Sequence, residues 1–215
     1  MTLRALSLAL GCAFAAAPLA AQVPRYLGAD AGLSRVRFRS TMAGGNEVLT
    51  GVVAGGQARA RLGRFAVEAA YAQGRLSADT GLATERDLVD GSIFLAARPL
   101  PWLVVRAGPH ARAYVASAGG TERWMHWEGR VRAEGVIVPG MLQVHLEGAL
   151  ALSSDVNVPP GASGARGGEV GLTLRPPQSQ VWVRLGYAVD QATVKNGARS
   201  ETVEMVVLSV GFGAH

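Results

Sequence analysis

The sequence predicts an all-β protein: one closed, antiparallel, up-and-down barrel of ten strands. Three observations predict it. Apolar and polar residues alternate with period two over segment after segment, the signature of strands with two unlike faces. The connections between these segments alternate short and long. Aromatic residues collect near the segment ends.

The clearest stretch is Trp124–Leu152. Met125, Trp127, Gly129, Val131, Ala133, Gly135 and Ile137 fall on one face, with His126, Glu128, Arg130, Arg132 and Glu134 on the other. Pro139-Gly140 makes a turn, and Leu142, Val144, Leu146, Gly148, Leu150 and Leu152 then oppose Gln143, His145 and Glu147. Apolar side chains turned to lipid and polar ones turned to a lumen give this pattern in membrane-spanning barrels.

The other strands follow in order. The first starts at Tyr26, with Leu27, Ala29, Ala31 and Leu33 outward against Gly28, Asp30, Gly32 and Ser34. Its parity then slips, since Val36 and Phe38 are apolar while Arg35, Arg37 and Arg39 are charged. A bulge near Gly32–Ser34 accounts for the slip, as does a strand that has already left the membrane. Ser40–Val48 reads as a loop. The second strand is Leu49–Leu62, with Arg59 and Arg61 inward, and Gly63-Arg64 is a tight turn. The third is Phe65–Leu76, with Glu68 inward, before a polar loop Ser77–Asp87. The fourth, Leu88–Ala97, turns Asp90, Ser92 and Phe94 inward and ends at the turn Arg98–Pro101.

The fifth strand, Trp102–Val115, turns Arg106, His110, Arg112 and Tyr114 inward. Pro109 cannot donate to a ladder, so a bulge is expected at Gly108-Pro109. Ala116–Arg123 is a loop, strands six and seven are the hairpin above, and Ser153–Gly167 is the longest loop. The eighth strand is Gly168–Arg175 with Glu169 inward, and Pro176–Ser179 turns into the ninth, Gln180–Val189, with Trp182 and Arg184 inward. Asp190–Ser200 is a loop and Glu201–Phe212 the tenth strand. An eight-stranded barrel, without the first or the eighth and ninth segments, is the alternative. Connections of roughly 8–15 residues after the odd strands and short turns after the even ones sort onto two ends, as outer-membrane barrels sort them. Tyr26, Phe65, Trp102 and Phe212 would form the aromatic girdle at the short-turn end, and Tyr71, Trp124, Trp127 and Tyr187 the one at the long-loop end.

Residues 1–21 read as a secretory signal peptide: Arg4, an apolar run, then small residues, with cleavage after Ala21 and a barrel domain over 22–215. The single cysteine, Cys12, falls inside that leader; Leu10-Gly11-Cys12 makes a weaker lipoprotein signal. The mature chain then has no disulfide framework and no thiolate metal site. Net charge is +5, and only Lys195 among the 21 basic residues is lysine. The arginines are dispersed along strands rather than gathered in a patch, which argues against nucleic acid.

Signal peptide, ten alternating segments, sorted connections and a last strand, VEMVVLSVGFGAH, ending near the aromatic Phe212 resemble a small bacterial outer-membrane β-barrel protein. The resemblance covers Gln22–His215 and is one of architecture, not of subfamily. It implies outer-membrane location, outer-membrane lipid as solvent, and insertion by the outer-membrane assembly machinery, although Phe212 stands three residues before the end.

The lumen-facing charges are the candidate site: Arg59, Glu68, Asp90, Arg106, His110, Arg112, Glu128, Arg130, Arg132, Glu134, His145, Glu147 and Arg184. Counting back from the turns sets Arg132 opposite Glu147, Glu134 opposite His145 and Arg59 opposite Glu68, and can set Asp90 opposite His110. Such a network fills a small barrel. A second reading is a narrow passage whose arginines admit small anionic solutes. A third is a hydrolase built on a lumen or rim histidine; no inward serine stands at a matching level and G-x-S-x-G is absent. A fourth, a secreted soluble barrel, conflicts with apolar outward faces. Histidines on three strands without ligand spacing predict neither metal nor cofactor. The expectation is a non-enzymatic, structural or porin-like barrel.

Overall fold

The structure, a computed structural model, describes residues 25–42, 45–78, 84–116, 119–157 and 161–213. The leader, Cys12 and the extreme C-terminus fall outside the described residues. Ten strands run in chain order: β1 Arg25–Met42, β2 Gly45–Leu62, β3 Phe65–Ala78, β4 Arg86–Leu100, β5 Leu103–Ala116, β6 Thr121–Val138, β7 Leu142–Val156, β8 Ala162–Leu174, β9 Val181–Val194 and β10 Arg199–Gly213. Each pairs antiparallel with its neighbours, and β1 meets β10 to close the barrel, Gly28 opposite Gly213 and Met42 opposite Arg199. The eight-stranded alternative is therefore ruled out. Except at the top of the β7–β8 seam, closure leaves no edge, so the strands' backbone donors and acceptors can be satisfied inside the sheet, as a membrane requires.

The short turns and both ends of the described chain lie at one end, here the lower one. Gly63 and Gly140 take left-handed backbone there, φ 61° and 72°, in the two tight turns. At the upper end the expected long loops are largely strand. Met42 pairs with Gly45, so Ser40–Val48 is the tip of a hairpin. Ser77–Asp87, Ala116–Arg123, Ser153–Gly167 and Asp190–Ser200 likewise shrink as strands continue into them from both sides. Their glycines and polar residues read as loop, but hydrogen bonding to neighbouring strands keeps them extended. Lys195–Gly197 forms a short 3-10 turn.

Two expected bulges are absent. The β1 register is unbroken from Gly28 to Met42 against β10, and on β2 from Arg25. Val36 and Phe38 thus continue the inward face, and Arg35, Arg37 and Arg39 the outward one. At Gly108-Pro109 the register to β6 also runs straight through. A Cβ on Gly108 would lie 2.0 Å from the Ile93 carbonyl oxygen, so the strands approach closely where the proline cannot bond. Bulges occur elsewhere. Trp127 faces Ser153 but Glu128 faces Ala151, leaving Leu152 as the extra residue of β7.

The exterior middle is apolar: Leu27, Leu33, Val52, Val67, Ile93, Leu95, Val131, Leu146, Leu150, Leu172, Leu185, Leu208 and Val210 are all exposed. Phe65 and Phe212 border this belt below, and Tyr71, Trp127 and Tyr187 above, all exposed. Tyr26 and Trp102 are corrections: Tyr26 shares the parity of Asp30 and stands opposite Arg61, and Trp102 lines the lower mouth of the lumen. Trp124 is a correction. It is 1% exposed and points inward, because it shares parity with His126. A soluble protein rarely exposes a contiguous apolar surface of this extent.

Candidate functional site

The candidate site is the barrel interior, which is built in layers. Period two sends every second residue of every strand inward, so ten strands deliver side chains of unlike chemistry to the same heights.

The lower mouth is an open vestibule of about 680 Å³ lined by Arg61, Arg64, Arg98, Trp102, Glu134 and Gln143. Arg98 lies 2.7 Å from Glu134 and donates to the Pro101 carbonyl. Glu134 does face His145 in the register, but its ion partner is Arg98.

Above it two carboxylates organise the arginines. Glu68 lies 2.6 Å from Arg59, its register partner, and 3.0 Å from Arg106. Glu147 receives Arg132 at 2.8 Å, Arg130 at 3.5 Å, and Arg106 as well. Arg106 therefore bridges the two, and all of Glu68, Arg106, Arg132 and Glu147 are buried. Arg130 also donates twice to Glu128 and lies over the Phe94 ring, 4.7 Å from its centroid. His145 Nε2 lies 2.8 Å from Glu169. Arg184 lines the same space, and among the described residues its Nε has no hydrogen-bond partner.

The next layer centres on His110, whose Nδ1 lies 2.7 Å from Glu128 and Nε2 3.0 Å from Asp90. Asp90 stands in register opposite Arg112, not opposite His110 as the count from the turn gave, because the ladder is irregular between Ala97 and Leu100. Arg112 donates to it at 2.7 Å and to Asp190 at 2.8 Å. Asp190 had read as a loop residue; β9 carries it into the lumen. The bulge at Leu152 also turns Ser154 inward, and its Oγ lies 3.0 Å from His126 Nδ1. No hydrogen bond between a carboxylate and His126 accompanies this serine–histidine contact among the described residues, so the orienting third member of a triad is missing.

The upper third of the interior is apolar. Val36, Phe38, Leu49, Val53, Leu76, Leu88, Tyr114, Trp124, Val156, Ala162, Val194 and Val203 form one buried apolar cluster across the lumen. Phe38 and Tyr114 pack with ring centroids 4.7 Å apart, and Trp124 stacks on His126 at 5.8 Å. Over this plug lies a rim of ion pairs. Arg86 reaches both oxygens of Glu47 at 2.8 Å, and Arg199 lies 2.8 Å from Glu122 and 2.6 Å from Glu201. Sequence reasoning missed this rim because Glu47, Arg86, Glu122 and Arg199 fall in segments that read as loops, and Glu201 stands at the very start of the tenth strand. Their inward parity was the available signal.

Among the described residues no group of three or more histidine, cysteine or acidic side chains is placed to hold a metal ion.

The sheet is also incompletely sewn. β7 and β8 pair only up to Leu150 opposite Arg166; beyond that β7 follows β6 and β8 follows β9.

No protein-family model and no curated protein matches the chain. Solved structures similar in shape include neisserial surface protein A, at 11% identity over 89% of this chain and 99% of that one, TM-score 0.40. An outer membrane channel from Pseudomonas putida F1 is 10% identical over 91% and 97%, TM-score 0.49. The translocator domain of the autotransporter NalP from Neisseria meningitidis is 15% identical over 97% and 93%, TM-score 0.40.

Proposed function

We propose that the protein is a non-enzymatic barrel of the bacterial outer membrane with a closed lumen, a structural element rather than a conduit. Its leader would export it, and the assembly machinery would insert it. The apolar belt between two aromatic girdles supports the membrane setting, because lipid is the solvent in which such a surface is stable.

One observation carries the closed-lumen reading: the interior is blocked twice. Ion-paired arginines and carboxylates fill its middle, and the Phe38–Trp124 plug fills its upper third. Conduction needs a continuous polar path, and an anion would have to displace both layers. The histidines support the non-enzymatic reading, since His110 is held between two carboxylates and the Ser154–His126 contact lacks an orienter. The vestibule of Arg61, Arg64 and Arg98 keeps a second reading, an anion-preferring pore, open to test.

Planar-bilayer recording of the refolded barrel decides between them. A closed barrel gives no reproducible channels. Channels favouring chloride over potassium, with the preference lost in Arg106→Gln or Arg130→Gln, would overturn it in favour of the pore.

A further inference from the structure

The absent bulge in β1 has a consequence on the outer wall. With the register unbroken, Arg35, Arg37 and Arg39 stand in a vertical row facing away from the lumen, all exposed. Successive members of such a row are about 6.6 Å apart. The flanking outward positions carry almost no compensating charge. On β2 they are Val52, Thr50 and Val48, and on β10 Val206, Glu204 and Thr202. Glu204 is the one carboxylate, and it is bound to Arg39. Among the described residues Arg35 and Arg37 have neither an ion pair nor a side-chain hydrogen bond, leaving an excess of two positive charges.

Their height matters as much as their charge. Tyr26, opposite Arg61 of the vestibule, marks the level of the lower mouth on the same strand. Arg35 lies nine residues above it, which at about 3.3 Å per residue and a tilt of about 40° is roughly 23 Å. Arg37 then lies at roughly 28 Å and Arg39 at roughly 33 Å, against an apolar band about 25 Å tall. The row starts at the upper border of the hydrocarbon and climbs through the layer where lipid headgroups sit. Leu33, the outward residue below Arg35, is the last apolar one on this strand's wall. Guanidinium forks bind phosphate oxygens in pairs and remain charged throughout.

We propose that Arg35, Arg37 and Arg39 form a phosphate-binding ladder for the headgroup of an outer-leaflet lipid whose acyl chains lie against Leu33, Val52 and Val206. This rests on the membrane setting proposed above, with the upper end, where the longer connections lie, facing the cell exterior. Arg35 and Arg37 supply the free guanidinium groups. Arg39, tied to Glu204, closes the top of the row.

The test compares the full barrel in zwitterionic phospholipid nanodiscs with the same discs containing a minor fraction of a bis-phosphorylated glucosamine lipid, lipid A. Lipid retained is counted by native mass spectrometry, and the heat-unfolding midpoint is read alongside. The native barrel should retain lipid A and unfold at higher temperature with it. In Arg35→Gln/Arg37→Gln retention should weaken roughly thirtyfold, from about 1 kcal/mol per arginine at an anionic surface, and the midpoint should no longer respond. Arg123→Gln, on the outward face of β6, should behave as native. Retention equal in native and double-variant barrels would overturn the ladder alone. A midpoint raised equally by free inorganic phosphate would also overturn it, replacing the lipid with a soluble anion. A barrel that enters no zwitterionic bilayer would remove the membrane setting, and the ladder with it.

Discussion

Replacing Glu147 with alanine is the sharpest test of what holds the lumen together. Three arginines converge on this carboxylate, and its side chain is only 3% exposed. Without it the partners fare differently. Arg106 keeps Glu68 and Arg130 keeps Glu128, whereas Arg132 has no other ion pair in the described structure. Glu147→Ala thus strands one buried guanidinium and weakens two more. Breaking a buried pair from one side costs about 3–5 kcal/mol, because the surviving charge stays desolvated. The reverse change, Arg132→Ala, leaves Glu147 with Arg106 and Arg130. Its cost should approach that of one charge-assisted hydrogen bond, about 1.5–3 kcal/mol. Equilibrium urea unfolding in lipid vesicles, followed by tryptophan fluorescence, gives both values. Folded and unfolded bands after heating provide a second reading. The expected order is Glu147→Ala well below Arg132→Ala, with native highest. Equal losses, or a Glu147→Ala loss under about 1 kcal/mol, would mean that the lumen is hydrated enough to screen these charges, as exposed pairs are.

The remaining expectations concern the plug, the close approaches and the topology. Trp124→Ala should cost about 3–5 kcal/mol as a buried aromatic truncation, yet open no channel, since the charged layers beneath it stay in place; bilayer recording beside urea unfolding separates the two effects. Gly211→Ala should destabilise the fold by about 1–3 kcal/mol as an overpacked site, because its Cβ would fall 2.1 Å from the Trp182 ring; an additional Trp182→Leu change should restore most of the loss in the same unfolding assay. Cysteine placed at Asn157, on the upper end, should react with a membrane-impermeant maleimide on intact cells, while cysteine at Gly140 should react only after the outer membrane is opened. The opposite pattern would invert the orientation.

The alternation was legible because a strand's geometry imposes it residue by residue. Arg132 opposite Glu147 and Arg59 opposite Glu68 could be read by counting from tight turns, whereas at Arg98–Pro101 an irregularity between Ala97 and Leu100 shifts the count and sets Asp90 opposite Arg112 instead of His110. The same counting failed at the upper end. Ser40–Val48 and Ser153–Gly167 are rich in glycine and polar residues, and local propensity assigns them to loops; pairing with strands distant in sequence makes much of them sheet. Parity alone placed Trp124 inward beside His126, but an aromatic near a strand end also suits a girdle.

By itself, then, the sequence determined the class of fold, the lipid-facing and lumen-facing sets, the lower turns and the pairs nearest to them, since all of these follow from local periodicity and tight turns. Tertiary structure decided the rest. Barrel closure settles whether β1 is bulged or straight, and so turns Val36 and Phe38 into the plug and Arg35, Arg37 and Arg39 to the outside. It also sends Arg106, a single side chain on β5, to carboxylates on β3 and β7. Such contacts depend on the radius and stagger of the closed sheet, which no one strand encodes.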